Sequence, residues 1–83
     1  MLLPSREIVE QLRKKYPVGT RVRLVYMDDA FAPPIGTLGT VRGVNAYGDL
    51  EMLWDNGRTL SVVFNCDEVE IVSDGTPSGI EKP

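Results

Sequence analysis

Apolar residues recur along this chain with two different periods. Between Ser5 and Tyr16 they fall at Ile8, Val9, Leu12 and Tyr16, the spacing of one helical face. From Thr20 the period shortens to two. Val22, Leu24 and Tyr26 alternate with Arg21, Arg23 and Val25, as in a half-buried strand. One short helix followed by a β-domain is therefore predicted.

The helix has clear ends. Ser5 after Pro4 is a good N-cap. Glu7 in the first turn and Arg13, Lys14 and Lys15 in the last complement the helix dipole. Pro17 stops it. A helix of ~12 residues is marginal alone in water. Its apolar face is expected to dock on the rest of the chain, with a second copy or a partner as the rival.

Val18-Gly19 reads as a turn. Met27 to Gly36 is a long connection, because Asp28-Asp29 and Pro33-Pro34 exclude regular structure. Phe31 and Ile35, inside it, are expected to tuck back onto the core. Leu38 to Val44 is the second strand, and its Gly39 and Gly43 read as bends of a closing barrel. After a turn at Asn45–Gly48 come a third strand, Asp49 to Trp54, and a fourth, Thr59 to Val63. Phe64-Asn65-Cys66-Asp67 is a one-turn connection to a fifth, Glu68 to Val72.

The hairpin register follows from the same pattern. A two-residue turn at Asn56-Gly57 mixes apolar and polar residues on both faces. A three-residue loop, Asp55-Asn56-Gly57, with Gly57 left-handed in a G1 bulge, pairs Met52 with Leu60, Leu50 with Val62 and Trp54 with Arg58. The apolar residues then share one face, so this register is expected. Trp54 becomes a core plug, with Arg58 placed to stack on its indole.

The fold class expected is mainly β: an SH3-like five-stranded small barrel preceded by one short N-terminal α-helix. Residues 1–17 form the helical segment and 18–72 the barrel. Residues 73–83, SDGTPSGIEKP, read as a disordered tail from their Gly, Pro, Ser and charge content.

The chain has 83 residues, which is one domain, and a net charge of −3. Cys66 is the single cysteine and there is no His. An intrachain disulfide is thereby excluded, and neither a metal centre nor a His-activated nucleophile is expected. No cofactor is implied. A lone cysteine suits a reducing cytosol, and no apolar run approaches the ~20 residues that span a bilayer. A cytoplasmic protein without membrane contact is expected.

A set of residues from Tyr16 to Ile71 carries a resemblance. They are Gly19-Thr20-Arg21-Val22, Met27-Asp28-Asp29, Pro33, Gly36-Thr37, Gly39-Thr40-Val41, Gly48, Trp54-Asp55-Asn56-Gly57-Arg58, Leu60 and Asp67. In these the chain resembles domain-of-unknown-function family 4314. The departures fall on the last connection, where the family tends to have Pro-Gly for Phe64-Asn65 and an aromatic for Val69. The resemblance implies a bacterial, phage or mobile-element origin and no established activity.

Candidate chemistry is sparse. Paired carboxylates occur at Asp28-Asp29, Asp49 with Glu51, and Asp67-Glu68. A domain this small has little room for a cavity they would share. Asp28, Asp29 and Asp55 read instead as turn caps. GTLGT lacks the Lys and the helix of a phosphate loop. Arg21, Arg23, Arg42 and Arg58 interleave with aromatics, the footprint of a nucleic-acid binder, but the acidic balance opposes it.

Recognition of a protein asks less. Phe31, Tyr47 and Tyr26 are expected to line a groove between the long first loop and the Asn45–Gly48 turn. Leu53 points outward beside Glu51, and the N-terminal helix is the bland candidate to cover it. Arg42 and Arg58 flank these positions. The expected function is a non-enzymatic protein-binding module, with nucleic-acid binding as the second reading. The expected state is a monomer, or a weak homodimer through the N-terminal helix.

Overall fold

A computed structural model describes residues 3–73 of the chain. The tail expected at residues 73–83 lies, after Ser73, outside the described residues.

Helix α1, Arg6–Lys15, is capped by Ser5, whose Oγ accepts the Ile8 N–H at 3.1 Å. Val9 is buried, and Leu12 and Tyr16 pack against the core. Arg13 donates from Nε and Nη2 to the Val44 carbonyl at 3.2 and 3.0 Å, fixing the helix to the end of a strand. The apolar face thus docks in cis, as expected. The face that would have served a homodimer is largely occupied.

The strands are β1 (Arg21–Tyr26), β2 (Leu38–Val44), β3 (Leu50–Trp54) and β4 (Glu68–Ser73). They form one antiparallel sheet in the order β3-β2-β1-β4. The protein is mainly β, but the sheet is open and has four strands. The five-stranded closed barrel is corrected accordingly. No β-rung joins β4 to the chain after β3 among the described residues.

The missing strand has a physical reason. The three-residue hairpin register holds at both ends: Leu50 and Val62 exchange two hydrogen bonds of 2.9 Å, and the Trp54 N–H donates to the Arg58 carbonyl at 2.8 Å. Gly57 has φ +90°, the left-handed conformation that the bulged loop requires. The middle rung, Met52 to Leu60, is absent from the ladder. Leu60's carbonyl accepts from the Trp54 indole Nε1 at 2.8 Å instead. Burying a Trp obliges its N–H to find an acceptor, and the acceptor it takes comes out of the ladder.

Trp54 is only 1% exposed and lies in a core with Val22, Leu24, Val41, Met52 and Val62. Gly39, read as a barrel bend, leaves room for the indole that crosses it. Gly43 does follow a register shift, between Val41 and Gly43, where Arg42 bulges out. A second irregularity in β1, between Leu24 and Tyr26, upsets the expected alternation. Tyr26 is turned out and Met27 is buried. The 27–36 loop is pinned by Met27, Ala32 and Pro33. Phe31 and Ile35, expected to tuck inward, are 69% and 65% exposed. None of the described helices is long and apolar enough to cross a membrane.

Candidate functional site

Two adjoining clefts form a trough beside the C-terminal half of α1. The clefts, of ≈ 350 and ≈ 410 Å³, share Val63, Phe64 and Asn65 as a common wall. Leu12 of α1 and Tyr16, its C-cap residue, face that wall from one side, and Leu3, Pro4 and Tyr47 help line the second cleft. Both volumes fall in the range of ligand pockets, ~300–1,000 Å³.

Short polar side chains hold the walls. Asp49 Oδ1 accepts the Phe64 N–H at 2.8 Å. The Asp67 carboxylate accepts the Val63 N–H at 2.8 Å with one oxygen and the Asp28 N–H at 3.0 Å with the other. Asn45 Oδ1 accepts from Tyr47 and Asp49 N–H at 2.9 and 3.1 Å. Asn65 sits at φ +66°, a conformation Asn tolerates better than other side chains. The 63–67 turn is closed by Cys66 and Asp67 N–H groups donating to the Val63 carbonyl. Cys66, in this turn, is exposed.

Of the residues proposed from sequence, Tyr47 lies on the trough and is 55% exposed. Phe31 and Tyr47 are not brought together. Phe31 belongs to the end of the sheet where β2 begins, and Arg58 Nη1 makes a long, 3.5 Å contact to its carbonyl. The 45–48 turn follows the far end of β2. Tyr26, at the end of β1, is with the first loop. The expected groove between those loops is therefore not formed. Leu53 and Arg42 face outward: Leu53 pairs with Thr40, and α1 packs on the core side and leaves it uncovered. Arg58 is not stacked on Trp54; the cation–π pair observed is Lys15 over Tyr16, at 5.4 Å.

Leu12, Val63, Phe64, Asp49 and Asp67 were missed as site residues. Their signal in the sequence was weak: Phe64 follows an apolar strand, and isolated Asp residues beside turns are common.

Two of the four arginines singled out from the sequence pair with carboxylates. Arg21 makes a bidentate pair with Asp55, at 2.7 and 2.6 Å, and touches Thr40 Oγ1 at 2.9 Å. Asp55 therefore holds Arg21 and does not cap its turn; Asn56 Oδ1 does so by accepting the Arg58 N–H. The hydrogen bonds from Arg21, helped by its charge, hold the Asp55 carboxyl below the usual carboxylate range. Arg23 pairs with Glu70. Asp29 caps its loop at the Phe31 N–H, 2.7 Å away, as expected; Asp28 contributes only its N–H. Among the described residues no three His, Cys, Asp or Glu side chains converge as a metal site. What the trough offers chemically is shape and apolar area, with polar and charged side chains such as Lys15, Asn65 and Glu68 in its lining.

The fold and trough define a small helix-capped antiparallel β-module. The chain belongs to the family described as Domain of unknown function (DUF4314), whose model matches residues 5–72. Neither a curated protein nor a solved structure matches it.

Proposed function

We propose that this chain is a non-enzymatic binding module whose partner is a protein. The observation that carries this is the trough. An apolar concavity lined by Leu12, Tyr16, Tyr47, Val63 and Phe64 is built on turns fixed by Asp49 and Asp67. Aromatic and aliphatic anchors in a rigid concave surface are how small modules concentrate binding energy. The order of long first loop, hairpin, one-turn connection and last strand beside the first supports an SH3-like topology, opened along one edge. An origin in bacteria or their mobile elements rests on the family resemblance alone.

Nucleic-acid binding is the weaker reading. Arg21 and Arg23 are paired with carboxylates, which leaves only Arg42 and Arg58 of the four arginines without a carboxylate partner among the described residues and little free positive charge for phosphates. Capture of partners from bacterial lysate, with and without nuclease, tests the choice. A protein retained after nuclease treatment supports the proposal. Oligonucleotide binding that weakens steeply with salt overturns it.

A further inference from the structure

The two edges of the sheet differ. The β3 edge is covered by its own chain through the Leu50–Val62 rungs and the Trp54–Arg58 bond. The β4 edge pairs with β1 on one side and, among the described residues, with nothing on the other. Open edges invite an additional strand, and natural proteins blunt them with charged side chains (Lys above all), Pro, β-bulges or very short strands; here Glu68 and Glu70 supply charge but leave the edge open to a strand of opposite sign. β4 reads Glu-Val-Glu-Ile-Val-Ser, with neither Lys nor Pro.

The side chains along this edge are sorted by face. Val69 and Ile71 lie opposite Leu24 and Val22, on the core side, and Ile71 is still 41% exposed. Glu68 and Glu70 lie on the other face, where Glu70 meets Arg23 and Glu68 has no ion pair among the described residues. Glu68 and Val69 also line the trough, so the open edge runs into it.

We propose that β4 accepts an extended segment of a partner protein as a fifth strand, and that this segment alternates basic and apolar residues. This deepens the reading above and rests on it. Main-chain bonds to β4 supply affinity, and alternate side chains supply selectivity. The apolar positions of the incoming strand cover Val69 and Ile71. Its basic positions face Glu68, which has no ion pair among the described residues, and Glu70 beside its Arg23 partner. A second copy fits worse: a register centred on Glu70 sets that carboxylate opposite itself, and one centred on Ile71 keeps both Glu70 side chains diagonal neighbours.

The test uses the full chain and an N-acetylated, C-amidated Lys-Val-Lys-Val-Lys-Val peptide, followed by amide NMR and hydrogen exchange. The expected result is shifted resonances and slowed exchange at residues 68–72. A Glu-Val peptide of equal length should bind more weakly, and a backbone N-methylated Lys-Val peptide should not bind. Glu68→Lys, at an exposed position without an ion pair, should weaken binding roughly two- to fivefold, the range of one cross-strand charge pair. The proposal is overturned by no change at residues 68–72, equal binding of the N-methylated peptide, an unchanged affinity in Glu68→Lys, or β4-mediated dimers of the chain alone. Perturbations confined to Leu12, Tyr47 and Phe64 sink strand addition and leave the protein-binding reading standing. Salt-sensitive oligonucleotide binding sinks both.

Discussion

The indole of Trp54 lies directly over Gly39. A Cβ at position 39 would stand 2.5 Å from Trp54 Cε3 and 3.0 Å from Met52 Cε. The ring cannot step aside easily, because Nε1 is held by the Leu60 carbonyl. Gly39→Ala should therefore destabilise the fold by about 1–3 kcal/mol, the usual cost of overpacking a core. Urea unfolding followed by Trp fluorescence measures it. An unchanged midpoint would show that the contact is soft.

The two functions of Trp54 can be separated by two variants. Trp54→Ala removes a large buried side chain and should cost about 3–5 kcal/mol. In a domain of this size that is a large fraction of the stability. Trp54→Phe keeps an aromatic ring but leaves the Leu60 carbonyl without its donor, a loss of about 1–3 kcal/mol from the unpaired group. Circular dichroism in urea compares them. Equal losses would mean that the Nε1 bond, not packing, dominates.

What was legible in the sequence follows from how local each signal is. The helix, its cap and its docked face depend on residues within one or two turns. The hairpin register depends on a short loop and on apolar parity, and it came out at Leu50–Val62 and Trp54–Arg58 as read. The missing middle rung was not legible, because it depends on where one indole N–H finds an acceptor. Arg21–Asp55 was equally hidden: the two are 34 residues apart, and pairing them needs the register of three strands. Phe31 was misassigned because apolar residues in loops were expected to bury. Ala32 and Pro33 anchor that loop, leaving the larger ring outside. The trough emerged only where α1 met the turn at Val63–Asn65, and no local pattern encodes that meeting.

Gly57 offers a backbone test without packing. It has φ +90°, and a Cβ there would meet nothing within 4 Å. Gly57→Ala should cost about 1–2 kcal/mol from the left-handed conformation alone. Gly57→Asn should cost less, since Asn visits that region more readily. Thermal unfolding of the three proteins gives the ranking. A stabilised Ala variant would refute the bulged loop.

The Arg21–Asp55 pair gives a pH signature. Asp55 is held below its unfolded value, near 3.9. A depressed carboxyl stabilises the folded state above the unfolded value, and that stabilisation is lost as pH falls through the folded one. Both side chains are partly exposed, so the pair is screened and contributes less than about 1 kcal/mol. Asp55→Asn should be slightly less stable than wild type at pH 7, and the difference should close below the carboxylate range. It should also shrink in high salt. A difference that persists unchanged at acid pH would assign the loss to something other than the ion pair.

Asp67 joins two segments with one carboxylate, and that makes it the residue on which the trough's shape should depend most. It accepts from Val63 on the trough wall and from Asp28 at the start of the first loop. Asp67→Ala deprives two N–H groups of an ionised acceptor at once. Hydrogen bonds to charged groups are each worth ~1.5–3 kcal/mol when well shielded. Solvent near the surface reduces that, so a total near 2 kcal/mol is expected. Asp67→Asn can accept with one oxygen only, so it should recover part of the loss and release one segment. Hydrogen exchange at Asp28 and Val63 reads this out: both amides should quicken in the Ala variant and only one in the Asn variant. For a protein captured on the trough, Asp67→Ala should weaken binding together with Tyr47→Ala, whereas Phe31→Ala, at the far end of the sheet, should leave binding unchanged. Loss of binding in Phe31→Ala with Tyr47→Ala unaffected would move the site to the first loop.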